Sequence, residues 1–230
     1  MKKIIKRMII GSPLEQPIRK IFRKDVLSSA SINPIIPFLK DRFSDRNSIS
    51  VLEIGALYGD SSEKLISELK VENYVIVDPY ETYEGYEEDR LDNAMKSKGG
   101  DAIFNNTKAR LSPLLSKLVF HRCFSNNPQL LAQLSSQRFD IIFIDGNHEY
   151  KYVLDDLLNY YPLVAKGGVI CGDDFHSRSK EHDTLGKLPE DSIKPMVFEA
   201  VEEFSKKIGK NYLTFGNHRG YPKTFAFVVN

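Results

Sequence analysis

Three carboxylates and one imidazole sit where acid–base or metal chemistry would need them. The stretch Asp145-Gly146-Asn147-His148-Glu149-Tyr150 follows one apolar run, and Gly172-Asp173-Asp174-Phe175-His176 follows another. Apolar runs that end in acids set Asp145, Asp173 and Asp174 at one rim. Unpaired, three such groups repel, and one would hold a proton. A hard divalent cation with oxygen ligands resolves the repulsion. Helix capping, or pairing with Lys and Arg from the loops, resolves it too. His148, three residues past Asp145, has the titration range of a general base; the same place suits a residue that caps the next helix. His176 and His182 lie in the polar loop beyond Asp174, towards substrate or solvent. His121 and His218 have no constellation around them and read as structural.

A second group lies earlier in the chain. Glu53-Ile54-Gly55-Ala56-Leu57-Tyr58-Gly59-Asp60-Ser61 ends another apolar run. Gly55 and Gly59 bracket a tight turn into a helix, where bare backbone can approach a ligand and a helix N-terminus favours negative charge. The dinucleotide spacing G-x-G-x-x-G is absent, because Leu57 and Tyr58 stand in its place. Asp78 follows the next apolar run, 25 residues past Glu53. A carboxylate there accepts ribose hydroxyls, although Asp78-Pro79 also makes a turn by itself. Together the glycine turn and Asp78 favour a nucleoside-type ligand.

These residues need strands and helices to hold them. Short apolar runs predict strands at Ile49–Ile54, Tyr74–Val77, Leu118–Phe124, Phe139–Ile144 and Val169–Cys171. Helical periodicity falls at Ser61–Lys70, over 86–117, and at Pro128–Leu134, Tyr150–Val164 and Pro195–Ile208. Asp60 followed by Glu63 predicts a capping box for the first of these. Tyr212–Phe215 and Thr224–Val229 close the chain as an antiparallel pair. Such alternation predicts a doubly wound, mostly parallel α/β sheet with helices on both faces. Ligands then bind beyond the carboxyl ends of the strands, where all the residues above stand.

The composition bounds the alternatives. The chain has 230 residues, 41% hydrophobic and 27% charged, enough for one globular core. Net charge is only +1, which disfavours a whole-domain grip on nucleic acid. No apolar run has the length of a membrane-spanning helix. Lys6 and Arg7 interrupt the early apolar stretch, so it does not read as a signal peptide. Cys123 and Cys171 read as buried thiols in a reducing compartment, the cytoplasm. Residues 1–24 carry eight basic side chains against Glu15 alone, and the remainder is net acidic. That start reads as a solvated arm packing Ile18, Ile21 and Phe22 on the body, or as a peripheral contact with anionic lipid or a partner. Residues 1–45 are expected to form a basic, helical N-terminal extension and 46–230 the main domain.

In combination, VLEIGALYGDSSEKL, VIVDPY, FDIIFIDGNHEYKYVLDDL and LVAKGGVICGDDF resemble the class I S-adenosylmethionine-dependent methyltransferases over residues 48–230. The run I-D-G-x-H-x-Y, then a helix, G-G-V-I and D-D, is similar to the group containing sugar and macrolide O-methyltransferases. The resemblance implies a seven-stranded Rossmann-like sheet whose last strand is antiparallel. It places Glu53, Gly55, Tyr58, Gly59 and Ser61 around the methionine end of the cofactor. Asp78 would hold the ribose, Ser125 would lie near the adenine, and Asp145 would sit under the methyl group. Metal-dependent relatives bind magnesium through one acid after strand four and a pair after strand five, which Asp145, Asp173 and Asp174 match. Catechol-type relatives carry a lysine base where this chain has His148. Leu57 replaces the middle glycine of the commonest turn.

The expected reaction is O-methylation of a small molecule or sugar, with magnesium polarising the hydroxyl and His148 or Asp145 taking its proton. Tyr80, Tyr83 and Tyr86, interleaved with acids as far as Arg90, and the loop over 173–193 are the expected acceptor side. Their rival reading is a solvated acidic helix edge. A homodimer fits the same reading. The alternative is a non-catalytic nucleoside-binding or membrane-adaptor protein on the same fold. An RNA methyltransferase is disfavoured by the acidic body, and a nicotinamide dehydrogenase by the glycine spacing.

Overall fold

A computed structural model describes residues 30–82, 99–176, 195–218, 220 and 222–230. Seven strands form one sheet: β1 (Ile49–Ile54), β2 (Val71–Val77), β3 (Lys117–His121), β4 (Phe139–Ile144), β5 (Val164–Gly172), β6 (Leu213–Phe215) and β7 (Thr224–Val228). Their order is β3-β2-β1-β4-β5-β7-β6. The first five are parallel, and β7 runs antiparallel between β5 and β6. This is the doubly wound architecture expected from the sequence.

Helices α1 (Ile36–Arg42), α2 (Asp60–Glu68), α3 (Gly100–Leu111), α4 (Pro128–Leu134), α5 (Tyr150–Tyr160) and α6 (Val197–Ile208) surround the sheet, with short 3-10 turns at Asn33–Ile35 and Tyr161–Leu163. Alternate strand residues point to opposite faces. Leu52, Ile54, Val75, Ile142, Ile144 and Ile170 enter a core covered by α4, α5 and α6. Val51, Ile76, Ile141, Phe143 and Cys171 enter a second core covered by α1 and by Leu65 of α2. Each such side chain contributes about 1.5–3 kcal/mol of burial. The α6 stripe Val197, Ala200, Val201 and Phe204 is buried as its periodicity predicted. Ile32, Ile35, Ile36 and Leu39, ahead of β1, are buried in the second core. Among the described residues no helix is long and apolar enough to cross a membrane.

Several boundaries differ from the sequence reading. β5 begins at Val164 rather than Val169 and runs through Gly167 and Gly168. Backbone bonds from Gly167 to the Val229 carbonyl and from Val229 to the Gly168 carbonyl carry it. β3 ends at His121, which leaves Cys123 half-buried beyond it. The capping box at α2 does not form. Gly59 is the N-cap, in the left-handed region, and Asp60 pairs instead with Arg110 at 2.8 Å. Of the helical region expected over 86–117, α3 occupies Gly100–Leu111; residues 83–98 lie outside the described part.

Candidate active site

The chain reverses its direction of travel across the sheet between β1 and β4, and the carboxyl ends of these two strands meet. The Gly55 amide donates to the Val77 carbonyl at 2.9 Å, and the Asp145 amide to Ile54 at 2.8 Å. Gly55 has φ +81°, and a Cβ there would lie 2.2 Å from the Asp145 carbonyl oxygen. Only glycine lets the two turns close to this distance. The amides of Ala56 and Leu57 donate to one oxygen of Asp78 at 2.9 and 2.8 Å, and the Tyr80 amide to the other at 2.7 Å. Asp78 therefore ties the turn after β1 to the turn after β2, and it makes its Asp-Pro turn as well. Burial raises its pKa, and these three bonds oppose the rise.

Glu53 points from β1 into the second core. One of its oxygens accepts from the hydroxyls of Ser62 and Tyr74. The other, Oε1, is buried with no partner among the described residues. Burial pushes this carboxyl up to about 8, despite those hydroxyls and with help from the charges of Asp145 and Asp78.

Helix α3 staples the glycine turn from behind. Thr107 donates to the Leu57 carbonyl at 2.7 Å. Arg110 donates to the Tyr58 carbonyl and lies 3.7 Å from Glu63 as well as pairing with Asp60. The non-glycine residues with positive φ among those described are Leu57 (+44°), Tyr80 (+52°) and Asp174 (+52°). All three follow strand ends at this rim, where sparsely populated backbone conformations concentrate in functional sites. Tyr80 is not an exposed stacking ring. It is buried with Ile103 and edge-on to Phe104 at 5.2 Å.

On the other side of the switch point, His148 lies between two carboxylates. Its Nδ1 is 2.8 Å from Asp174 and its Nε2 3.5 Å from Asp145. Burial works against the imidazolium, but hydrogen bonding to Asp145 and Asp174 and their charges outweigh it, so the pKa rises well above 6.5. Asp174 is also buried; bonding to His148 and the charges of His148, His176 and Lys223 still hold it far below the usual carboxylate range. His148 does not cap α5, whose N-cap is Glu149 without a side-chain capping bond. Asp173 lies 3.7 Å from Lys223. Burial and the charges of Asp145 and Asp174 push it up to about 8.

The three acids were expected to share a divalent ion. Asp145 faces Ser31 and His148, Asp174 faces His148 and His176, and Asp173 faces Lys223. Among the described residues no three His, Cys, Asp or Glu groups converge on a metal position. His148, His176 and Lys223 stand beside the acids, while Asp173 Oδ1 is buried with no partner among the described residues and Asp173 feels the charges of both Asp145 and Asp174.

Residues 52–175, just over half of the chain, match the methyltransferase-domain family. The chain belongs to this family. The class I S-adenosylmethionine-dependent resemblance and the doubly wound fold are thereby borne out together. Among curated relatives, protein R132 of Acanthamoeba polyphaga mimivirus, which has no assigned function, is 28% identical over 133 residues. The match spans 57% of this chain and 53% of that one. Among solved structures, the O-methyltransferase TomG of Streptomyces achromogenes, in complex with S-adenosylmethionine, aligns with TM-score 0.51 and 18% identity over 85% of this chain and 78% of its own. The MycE methyltransferase of mycinamycin biosynthesis, bound to magnesium, S-adenosylhomocysteine and mycinamycin VI, aligns with TM-score 0.51 and 16% identity over 85% and 49%. At these identities the two solved structures show the methyltransferase fold alone.

Glu53, Gly55, Tyr58, Gly59, Ser61, Asp78 and Asp145 lie at or just beyond the carboxyl ends of β1, β2 and β4, and His148, Asp173 and Asp174 follow β4 and β5. Ser125 lies apart, in the loop after β3, and is buried. Three neighbours were missed. Ser31 bonds to Asp145 and, at 2.9 Å, to Ser61; no sequence signal links it to a residue 114 positions away. Lys223 reaches Asp173 because β7 pairs with β5, Gly172 opposite Phe225, a register that the antiparallel pattern could have suggested. His218, read as structural, stacks on His176 at 4.2 Å. His182, Tyr83, Tyr86, Arg90 and the basic start 1–24 lie outside the described residues.

Proposed function

We propose that this protein transfers a methyl group from S-adenosylmethionine to a hydroxyl oxygen of a small molecule or sugar. The observation that carries this reading is the Asp145–His148–Asp174 array beside the Gly55 turn at the sheet's switch point. The residues suit the cofactor: Gly55 leaves room for backbone approach, and Glu53 keeps an unpartnered buried oxygen. Glu53, Gly55, Tyr58, Gly59 and Ser61 would hold its methionine end, Asp78 its ribose, Ser125 its adenine, and Asp145 would lie under the reacting centre. When bound, the cofactor supplies an electrophilic methyl group on a sulfonium. The acidic body beyond residue 24 favours a small acceptor over nucleic acid.

The chain's own work is positioning and proton removal. A hydroxyl loses its proton as its oxygen gains the methyl group, and neutral His148 takes that proton. Asp145 and Asp174 orient the ring and stabilise the imidazolium that results. Because those carboxylates raise the pKa of His148, the neutral base is populated only at higher pH. Turnover should climb with pH along a limb alkaline of 6.5, and His148→Gln should abolish that limb. If His148, His176 and Lys223 suffice to balance the acids, excess chelator leaves turnover unchanged. A loss restored by magnesium would instead give Asp145, Asp173 and Asp174 the ligand role.

Calorimetric titration with S-adenosylmethionine and S-adenosylhomocysteine comes first, followed by turnover on hydroxylated sugars with the position of the new methyl read by NMR. Micromolar binding and an O-methyl product support the reading; absence of binding overturns it.

A further inference from the structure

Helix α5 touches the loop after β3 with two side chains that methyl transfer leaves unused. Asp156 and Tyr160 lie one turn apart on one helix face. Both are buried, at 2% and 0% exposure. The Tyr160 hydroxyl donates to the Ser125 backbone carbonyl at 2.7 Å. The Ser125 hydroxyl hydrogen-bonds the Asp156 carboxylate. One helix therefore grips Ser125 by both its side chain and its backbone. At the start of the loop Arg122 pairs with Asp101 at 2.5 Å and donates to the Pro79 carbonyl at 3.5 Å. The Asn127 amide donates to Phe124 at 3.1 Å, and the Asn127 side chain caps α4 through the amides of Gln129 and Leu130.

The face of α5 that carries these residues is otherwise apolar, with Val153 and Leu157 in the first core. Packing alone would be served by leucine at position 156. A buried acid is costly there: burial pushes Asp156 up to about 7, with Asp155 adding to the rise and Ser125 opposing it. An acid kept at that cost, on the one hydroxyl expected near the adenine, indicates a task beyond packing.

We propose that Asp156 and Tyr160 are positioning residues for the nucleoside end of the methyl donor, holding the Ser125 loop in the shape that receives the adenine ring. The inference rests on the S-adenosylmethionine reading above. Since α5 starts two residues after His148, the same helix connects the nucleoside end of the site to its proton-accepting end.

The test uses the full chain and two ligands, S-adenosylhomocysteine and 5′-methylthioadenosine, which keeps the adenosine and lacks the amino-acid end. Tyr160→Phe and Asp156→Leu should each raise the Kd of both ligands by the same factor, roughly tenfold for one lost buried hydrogen bond. Asp156→Asn still accepts from Ser125 and should recover most of the affinity. The acceptor KM should not move, whereas a purely structural defect would lower the melting temperature and leave the Kd of the folded fraction intact. If wild type binds S-adenosylhomocysteine and Tyr160→Phe binds both ligands as tightly, the positioning role is wrong while the cofactor reading stands. If wild type binds neither ligand, both readings fall.

Discussion

Gly55 is where the turns after β1 and β4 touch, and its backbone leaves no room for change. A Cβ would meet the Asp145 carbonyl oxygen at 2.2 Å and the Gly146 Cα at 2.5 Å, in a backbone conformation with φ +81°. Backbone on both sides cannot step aside as a flexible side chain would. Gly55→Ala should cost about 2–4 kcal/mol of stability, read from the urea midpoint, and should weaken S-adenosylhomocysteine binding in the fraction that folds. A melting curve and affinity matching wild type would show that the turns can separate cheaply. His148 is the other residue whose surroundings define its chemistry. Two carboxylates raise the pKa of its imidazole well above 6.5, which strengthens it as a base and shifts its free-base form to higher pH.

Helix α3 acts on the glycine turn after β1 without forming part of it. Thr107 satisfies the carbonyl of Leu57, the residue held at φ +44°, and is itself buried. Removing the hydroxyl leaves that carbonyl unpaired and releases the strained peptide. Thr107→Val should lower stability by about 1–3 kcal/mol and raise the Kd for S-adenosylmethionine severalfold, with acceptor KM unchanged. Arg110→Met removes the bond to Tyr58 and the pairs with Asp60 and Glu63, and should act in the same direction. If acceptor KM moves and cofactor affinity does not, the staple belongs to a different function.

Across the whole molecule, buried acids with raised pKa values, Glu53 and Asp156 together with Asp173 of the site, drive the pH dependence of stability in one direction. Glu53 rises from 4.5 to about 8, and Asp156 from 3.8 to about 7. A raised folded-state pKa means the native protein binds the proton more tightly than the unfolded chain. Their stabilising contribution is fully present below about pH 4 and is lost as pH rises through 7 to 8. The melting temperature should therefore fall from pH 5 to pH 8. Glu53→Gln combined with Asp156→Asn should reduce that slope, leaving the share of Asp173, and an unchanged slope in the double variant would assign it to other groups.

Sequence determined the elements and their order, because local periodicity and turn residues act over short stretches. The run Phe139–Ile144 is a strand as read, Pro128–Leu134 a helix, and the α6 stripe is buried. It also placed Gly55, Asp78, Asp145, Asp173 and Asp174 at strand ends, since a parallel sheet gathers those ends at one edge. It did not determine what each polar group would pair with. Asp60 met Arg110, 50 residues on, instead of closing a capping box. Asp145 met Ser31, and Asp174 and Asp173 met His148, His176 and Lys223. Tyr80 turned inward against Phe104. Hydrogen bonds and ion pairs depend on distances of a few ångströms between elements far apart in the chain, and only the tertiary packing sets those distances.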